Sequence, residues 1–274
     1  MHITGNALIV GGGSGIGRAC ALTLAKDGAT GILVADIDIA AAAKTAEKCR
    51  GVATNPDFRV EAAYVDITDE QSVRDAAALM VKNFGRMDHC VNCAGIPQSN
   101  FTEIADSNIA DFRRMLDINT IGTFLVIREA SAVMRAQEPQ RLISSLGDDR
   151  GTGRGAIVVL GSAASYVATA GIAQYTTAKH AVVGLVKNAA IDNTPHGIRV
   201  NCVCPSWVNT PMVQTAVADS PALSQLISKM VPMTRIANPE EVADAVSFLC
   251  SHRSSYMTGC GLVVDGGTTL TCHV

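Results

Sequence analysis

The chain has 274 residues, a length that suits one large α/β domain or two small ones. Hydrophobic residues make up 48% of it and charged residues 17%, so the material for a sizeable buried core is present. The formal net charge of -3 and the lack of a basic tract argue against nucleic acid or an acidic membrane surface as a partner. No apolar run reaches the ~18 residues of a membrane-spanning helix.

The nine cysteines include two close pairs, Cys90-x-x-Cys93 and Cys202-x-Cys204, and no second pair lies at zinc-finger spacing. A metal or redox role is one interpretation. We favour the other, small buried residues in a reducing cytosol, and predict no metal site. A glycine-rich motif already begins by Gly11 and leaves no room for a signal peptide, so we expect a cytoplasmic location.

The first predicted strand, residues 7–10, runs directly into Gly11-Gly-Gly-Ser-Gly15-Ile-Gly17, and a helix follows to Lys26. A backbone without Cβ atoms can approach a pyrophosphate closely, and the start of a helix offers unpaired N–H groups. The motif therefore predicts a dinucleotide site. The alternative is a tight strand-to-helix turn that binds nothing.

A second apolar strand, residues 31–35, ends at Asp36, about 20 residues beyond the glycines. A carboxylate there accepts hydrogen bonds from both ribose hydroxyls of an adenosine and repels a 2′-phosphate. No Arg or Lys stands at Ser14 or Ile37 to offset that repulsion. We predict NAD as the cofactor rather than NADP. The alternative is a solvated Asp that caps the following helix.

Strands and helices alternate along the rest of the chain, which predicts parallel βαβ units. We expect one domain, residues 1–274, with a doubly wound, mostly parallel, seven-stranded sheet of the Rossmann type. The polar segment 137–155 is predicted to be a surface loop. The remaining predicted strands are residues 59–65, 89–91, 156–160, 199–203 and 261–264.

Residues 206–233 are rich in Met and aliphatic side chains and are predicted to form a flap over an apolar substrate. The alternative is a pair of helices packed on the body of the domain. The side chains on which this prediction depends are Met212, Val213, Val217, Leu226, Ile227, Met230 and Met233.

Tyr175-Thr-Thr-Ala-Lys179 lies on a predicted amphipathic helix, and a spacing of four residues places both side chains on one face. A nearby ammonium favours the phenolate form of a tyrosine, which can then exchange a proton with an alcohol oxygen. Alternatively, the two residues are incidental members of a surface helix. Tyr166 is a poor competitor because Ala170, not a lysine, stands four residues later.

Two further polar residues stand out. Ser162 follows the predicted strand 156–160, and its alternative role is to cap its own turn. Asn119 interrupts an apolar stretch inside the predicted long helix 111–136, where Asn is mildly unfavourable. Asn119 either has a functional task or simply packs or kinks the helix.

Taken in order, these motifs resemble the short-chain dehydrogenase/reductase family over nearly the whole chain. The resemblance implies catalytic roles for Asn119, Ser162, Tyr175 and Lys179. It also implies cofactor contacts along the carboxyl edge of the sheet. These are Gly11, Ser14, Gly15, Ile16, Gly17, Asp36, Asp66, Ile67, Asn92, Ala94, Gly95, Tyr175, Lys179, Pro205, Val208 and Thr210.

Three positions depart from the family pattern: Val10 replaces a usual Thr, Cys93 an Asn, and Ser206 a Gly. The first two remove side-chain ties between the cofactor turn and strand four. None of the three touches the four implied catalytic residues, so they bear on cofactor affinity more than on chemistry.

The resemblance implies hydride transfer between NAD(H) and a hydrophobic secondary alcohol or ketone, such as a terpenoid, a steroid or a polyketide. Tyr175 would be the general acid/base, Lys179 would hold the nicotinamide ribose, and Ser162 would donate to the substrate oxygen. Asn119 would hold a water. Other hypotheses are an NADP(H)-dependent carbonyl reductase, an isomerase or epimerase with bound cofactor, and a cofactor-sensing protein without activity. The expected partners are a small-molecule substrate and further copies of the chain, in a dimer or tetramer.

Overall fold

The computed structural model describes residues 2–98, 100–144, 146–211, 213–214, 227 and 229–270. Within these ranges, seven strands form one sheet in which every neighbouring pair is parallel. The strands are β1 (Asn6–Val10), β2 (Gly31–Asp36), β3 (Arg59–Tyr64), β4 (His89–Asn92), β7 (Gly155–Leu160), β8 (Ile198–Pro205) and β9 (Gly261–Val264). Their spatial order is β3-β2-β1-β4-β7-β8-β9, which confirms the predicted Rossmann-type sheet.

Helices cover both faces of the sheet. They are α1 (Gly15–Lys26), α2 (Ile39–Val52), α3 (Glu70–Phe84), α4 (Ile109–Leu116), α5 (Thr123–Arg135), α6 (Ala173–Asn193) and α7 (Pro239–Cys250). The apolar residues of α1, α2 and α7 pack on one face, and those of α3, α5 and α6 on the other. Strand residues alternate between the two cores: Leu8 and Val10 lie in one, Ala7 and Ile9 in the other. Because both faces are covered, β1 is buried along its whole length.

The strand order reverses between β1 and β4. From β1 the chain builds outward through β2 and β3, then returns to the other side of β1 with β4. Such a reversal leaves a crevice at the carboxyl ends of the two strands, the usual ligand site in open α/β sheets. The glycine-rich turn after β1 and the segment after β4 both begin there.

We predict a surface loop over the segment 137–155, and this prediction is wrong in part, because the segment contains two strands. Residues 140–143 (β5) and 149–153 (β6) form a two-stranded antiparallel hairpin. Its side chains are mostly exposed, so the segment has no apolar alternation from which strands could be predicted. Main-chain pairing and two arginine anchors hold it. Arg150 Nη1 donates to His252 O at 2.8 Å, and Arg154 Nη1 donates to His196 O at 2.8 Å.

The predicted single helix over residues 111–136 is interrupted. Between α4 and α5 the chain forms a π-helical turn, Asp117–Gly122, with Asn119 buried inside it. A π-helical turn accommodates one extra residue and is often found at functional sites.

No helix in the described part of the chain is long and apolar enough to cross a membrane. Of the predicted flap, Met212, Val217 and Leu226 lie outside the described residues. Ile227 and Val231 are buried, and Met233 is exposed. The flap therefore stays a prediction.

Candidate active site

The glycine-rich turn packs directly on the segment that follows β4. Gly11 has a positive φ of 74°, and a Cβ there would lie 2.5 Å from the backbone nitrogen of Ala94. Only glycine fits this close approach. Gly11 N also donates to Ala35 O at 2.8 Å, which ties the turn to β2. Two separate sequence motifs thus form one wall of the crevice.

The first turn of α1 is suited to bind an anion. Ser14 is the N-cap residue, and its side chain makes no capping hydrogen bond. Gly15, Ile16 and Gly17 follow in the first turn, and a Cβ on Gly17 would collide with the carbonyl of Gly11. The unpaired N–H groups of a helix start and its positive dipole end attract phosphate oxygens. This cradle therefore fits the pyrophosphate of a dinucleotide.

The carboxylate of Asp36 is held beside this cradle. One oxygen accepts from Gly13 N at 2.8 Å and the other from Asp38 N at 2.9 Å. Arg18, although part of α1, reaches back to donate to Gly13 O through Nη2 at 2.6 Å. Asp36 is thereby fixed at the end of β2 as a negative charge, with lone pairs left for ribose hydroxyls.

At Val10 and Cys93, where the side chains depart from the family pattern, a main-chain hydrogen bond joins the end of β1 to the segment after β4. Val10 is buried in the core, and its carbonyl accepts from Cys93 N at 2.8 Å. The Cys93 thiol lies 4.0 Å from the Cys20 thiol of α1. Asn92 is the last residue of β4, and its side chain accepts from Ala94 N at 3.1 Å and donates to Thr123 Oγ1 at 3.3 Å.

Asp66 and Ile67 lie in the turn after β3. Asp66 Oδ1 accepts from the backbone nitrogen and the hydroxyl of Thr68, at 2.9 and 2.7 Å. Ile67 is buried and packs against the Cα of Gly122, where a Cβ would lie 2.7 Å from Ile67 Cδ1. The turn after β3 is thus packed onto the π-helical turn that contains Asn119.

Asn119 anchors the segment that follows Gly95. Its Oδ1 accepts from Ile96 N at 2.8 Å, and its Nδ2 donates to Ile96 O at 2.9 Å. Its own carbonyl accepts from Thr123 Oγ1 at 2.9 Å. The Asn119 side chain is 1% exposed. The amide therefore works as a two-pronged clamp on one backbone unit, and the water implied by the resemblance stays a prediction.

Ser162 is the N-cap of a short 3₁₀ turn, Ala163–Ser165. Its Oγ accepts from Ala164 N at 3.1 Å, which leaves its hydroxyl hydrogen to donate elsewhere. Ser165 Oγ accepts a hydrogen bond from Ser162 N at 3.2 Å and donates one to Lys179 O at 2.8 Å. This relay joins the Ser162 turn to α6 at the level of Lys179.

Tyr175 and Lys179 share one face of α6. The Lys179 ammonium lies 5.6 Å from the centroid of the Tyr175 ring and donates to Leu160 O, at the end of β7, at 2.9 Å. Lys179 is 7% exposed, whereas Tyr175 is partly accessible. The spacing predicted only a shared helix face; the burial of the lysine and the partial exposure of the tyrosine are features of the structure.

The segment after β8 closes the crevice from the side of α1. A Cβ on Gly15 would lie 3.2 Å from the methyl group of Thr210, so the glycine-rich turn and this segment are in contact. Val208 and Thr210 are buried, and Pro205 is the last residue of β8. Ser206, the third departure, donates to Asp265 O at 3.0 Å and so ties the segment to the end of β9.

The close cysteine pairs are free thiols. Cys202 Sγ and Cys204 Sγ lie 3.3 Å apart at the end of β8, and both residues are buried. Burial raises the pKa of the Cys90 thiol to about 12, so this group stays protonated at neutral pH. The hydrogen bond from Cys202 lowers the pKa of the Cys204 thiol, and Cys93 is only half-buried. The interpretation of Cys90 as a small buried residue therefore does not extend to every member of the two pairs.

Sequence reasoning missed several contributors to the site. Ile96 and Leu160 act through their main chains, which no side-chain pattern reveals. Ser165 could have been found, since Ser162-x-x-Ser165 has the spacing of a reciprocal capping box. Gln174 precedes Tyr175 and is buried, yet its Oε1 has no hydrogen-bond partner among the described residues. Gln98 Oε1 is in the same state.

Known proteins resemble the chain over its full length. The family model described as Enoyl-(Acyl carrier protein) reductase matches residues 10–269. The short-chain dehydrogenase fogB of Aspergillus ruber is 59% identical over 99% of both chains. A 2,5-dichloro-2,5-cyclohexadiene-1,4-diol dehydrogenase of Sphingobium indicum is 37% identical over 97% of this chain and 98% of its own. The crystal structure of levodione reductase superposes with a TM-score of 0.88 at 29% identity, covering 99% of this chain and 100% of the other.

A parallel sheet with this strand order and a dinucleotide cradle at its reversal defines a nucleotide-cofactor enzyme of the Rossmann class. The chain belongs to the short-chain dehydrogenase/reductase family, whose members are oxidoreductases that use NAD(P).

Proposed function

We propose that this protein transfers a hydride between NAD(H) and a hydrophobic secondary alcohol or ketone, of terpenoid, steroid or polyketide type. The observation that carries the proposal is the buried Lys179 ammonium, 5.6 Å from the ring of an accessible Tyr175. The same lysine is bonded to the end of β7, which pairs directly with β4 in the sheet. The pair therefore stands at the carboxyl edge, beside the dinucleotide cradle.

The cradle residues fit NAD. The first turn of α1 suits the pyrophosphate, Asp36 the adenosine ribose, and the turn at Asp66 and Ile67 the adenine. The segments after β4 and β8 would bind the nicotinamide half, through Asn92, Ala94, Gly95, Pro205, Val208 and Thr210. When bound, the cofactor supplies or accepts the hydride.

The protein's own groups move the proton. Tyr175 would pass a proton to a ketone oxygen, or take one from an alcohol, as general acid or base. Lys179, whose ammonium lies 5.6 Å from the centroid of the Tyr175 ring, would hold the nicotinamide ribose. Ser162 would donate its free hydroxyl hydrogen to the same substrate oxygen and stabilise the charge that develops there.

Exposed apolar side chains on two segments near the start of α6 support an apolar substrate. Phe101 and Val167 are exposed on the segments that precede and follow the site, and Thr102 N donates to Gly171 O to hold these segments together at 3.0 Å. Beside them, Gln98 and Gln174 line a small cleft with their unpaired oxygens. The name of the Sphingobium relative is that of a cyclic diol dehydrogenase.

The experiment is a screen of cyclic and terpenoid secondary alcohols with NAD, followed by NADH absorbance, and then the Tyr175→Phe variant on the best substrate. We expect Tyr175→Phe to lose nearly all turnover while still binding NADH, measured by calorimetry. Tyr166→Phe is the matched control. Its hydroxyl bonds to Gly261 O rather than to the Lys179 pair, so activity should be retained.

Retained turnover in Tyr175→Phe would remove Tyr175 as the acid/base. Turnover without any net change in NADH absorbance would instead favour the isomerase or epimerase hypothesis.

A further inference from the structure

A cavity lies at the amino-terminal ends of the strands, whereas the candidate active site lies at their carboxyl ends. It has a volume of about 340 Å³, and its walls include the first residues of three strands, namely His89, Gly155 and Ile198. We call it the basal cavity. Six strand residues span about 20 Å at ~3.3 Å each, so a ligand here would not touch the dinucleotide cradle. The volume lies within the usual range for small-molecule sites, about 300–1,000 Å³.

The β5–β6 hairpin and residues 252–258 cover the basal cavity. Arg150 joins the two covers, because its Nη1 donates to His252 O at 2.8 Å and to Ser255 Oγ at 3.4 Å. Leu142 of the hairpin and Met257 of the second cover add apolar surface. The cavity is therefore bounded by structured segments on both sides.

The lining of the basal cavity is strongly basic. Asp88 is the one acidic residue among its described lining residues, and it is paired with Arg86 at 2.6 Å. Three further guanidinium groups line the same space: those of Arg150, Arg154 and Arg199. The histidines of the lining are neutral at pH 7, since burial lowers the pKa of both His89 and His252. The cavity thus holds a concentrated positive charge in a chain whose formal net charge is -3.

None of these three arginines has a carboxylate partner within the described residues. Arg199 donates only to neutral oxygens, among them Ser251 O at 3.2 Å and Ser254 Oγ at 3.1 Å. Arg154 donates to Gln137 O and His196 O, both at 2.8 Å. In the part of the chain that is described, Arg154 Nη2 and the Nε and Nη2 of Arg150 make no hydrogen bond. A cavity with walls of low dielectric concentrates the field of these cations and attracts counter-ions.

We propose that the basal cavity binds a small organic anion, held by Arg150 and Arg154 through a phosphate or carboxylate group. Planar guanidinium forks match both of these oxyanions. The N–H groups of Arg150 and Arg154 that make no other hydrogen bond supply the donors. The bound anion would also neutralise the charge of Arg199, which has no carboxylate partner among the described residues. The apolar surface of Leu142 and Met257 would contact the carbon skeleton of the ligand.

The test is calorimetric titration of the full chain with inorganic pyrophosphate and, separately, with citrate, in saturating NADH so that the dinucleotide cradle is filled. We expect one of the two anions to bind the wild type, and the better one identifies phosphate or carboxylate as the recognised group. Arg150→Gln should weaken binding by at least about tenfold, the effect of losing one hydrogen bond to a charged group. Arg253→Gln makes the same change in charge on an exposed residue that does not line the cavity, and should keep the wild-type affinity.

Hydrogen exchange on the wild type gives an independent readout that needs no variant to fold. Bound anion should protect residues 149–154 and 252–258. The proposal is overturned if neither anion binds, if Arg150→Gln and Arg253→Gln weaken binding equally, or if protection appears only at residues 11–17.

Discussion

Replacing Asn119 by Ala tests whether its amide is a structural clamp. The substitution removes the bonds to Ile96 N, at 2.8 Å, and to Ile96 O, at 2.9 Å. It leaves both backbone groups without these partners beside a side-chain position that is 1% exposed. Water cannot freely replace the lost amide at such a position.

An unsatisfied buried donor or acceptor costs about 1–3 kcal/mol. Two groups would cost about 2–6 kcal/mol, but Ile96 is only partly buried, so water restores some of the loss. We therefore expect the lower part of the range, about 2–3 kcal/mol. In a domain of this size that lowers the melting temperature by roughly 4–12 °C.

Thermal unfolding followed by circular dichroism measures the effect, with Asn108→Ala as the matched control. Asn108 caps α4 on the exposed surface by accepting from Ala110 N, and loss of such a cap costs about 1 kcal/mol. Asn119→Ala should therefore melt below Asn108→Ala. NADH affinity should fall as well, because Ile96 directly follows the segment that contacts the glycine-rich turn.

If Asn119→Ala melts at or above Asn108→Ala, the clamp has no energetic significance. A large loss of turnover with unchanged melting would then point to a purely catalytic role for Asn119.

Two other outcomes are expected. Asp36→Ala should lower the preference for NAD over NADP by at least about tenfold in competing titrations, since it removes like-charge repulsion of the 2′-phosphate. Asp38→Ala, which removes a neighbouring exposed carboxylate, should leave the ratio of the two affinities unchanged. If that ratio is also unchanged in Asp36→Ala, the charge of Asp36 does not set the cofactor preference. Burial lowers the pKa of His89 below its ordinary value of about 6.5, so the unfolded chain binds more protons and unfolding free energy should fall as pH drops below about 6.5, by up to ~1.4 kcal/mol per pH unit. The unfolding free energy, measured by urea titration between pH 7.5 and 5.5, should depend less on pH in His89→Gln than in the wild type, by roughly that slope. If the two proteins show the same dependence on pH, the lowered pKa of His89 is wrong.

Local patterns in the sequence determined the sheet and the identity of the chemical groups. The apolar runs that become β1 and β2 can be predicted from the sequence because a strand covered on both faces must be apolar throughout. The glycines from Gly11 to Gly17 are legible because a close backbone approach tolerates no other residue. The four-residue step from Tyr175 to Lys179 is legible because helix geometry alone puts them on one face.

Tertiary structure alone decided which distant groups meet. Asn119 clamps Ile96, 23 positions away, and Lys179 bonds Leu160, 19 positions away, through main-chain oxygens that every residue carries. The β5–β6 hairpin has no apolar face from which it could be predicted, and its Arg150 bonds to His252, 102 positions further along the chain. The basal cavity exists only because the starts of three strands and these covers converge in space. A pattern of neighbours reports burial and local sterics, whereas such contacts depend on how separate elements pack.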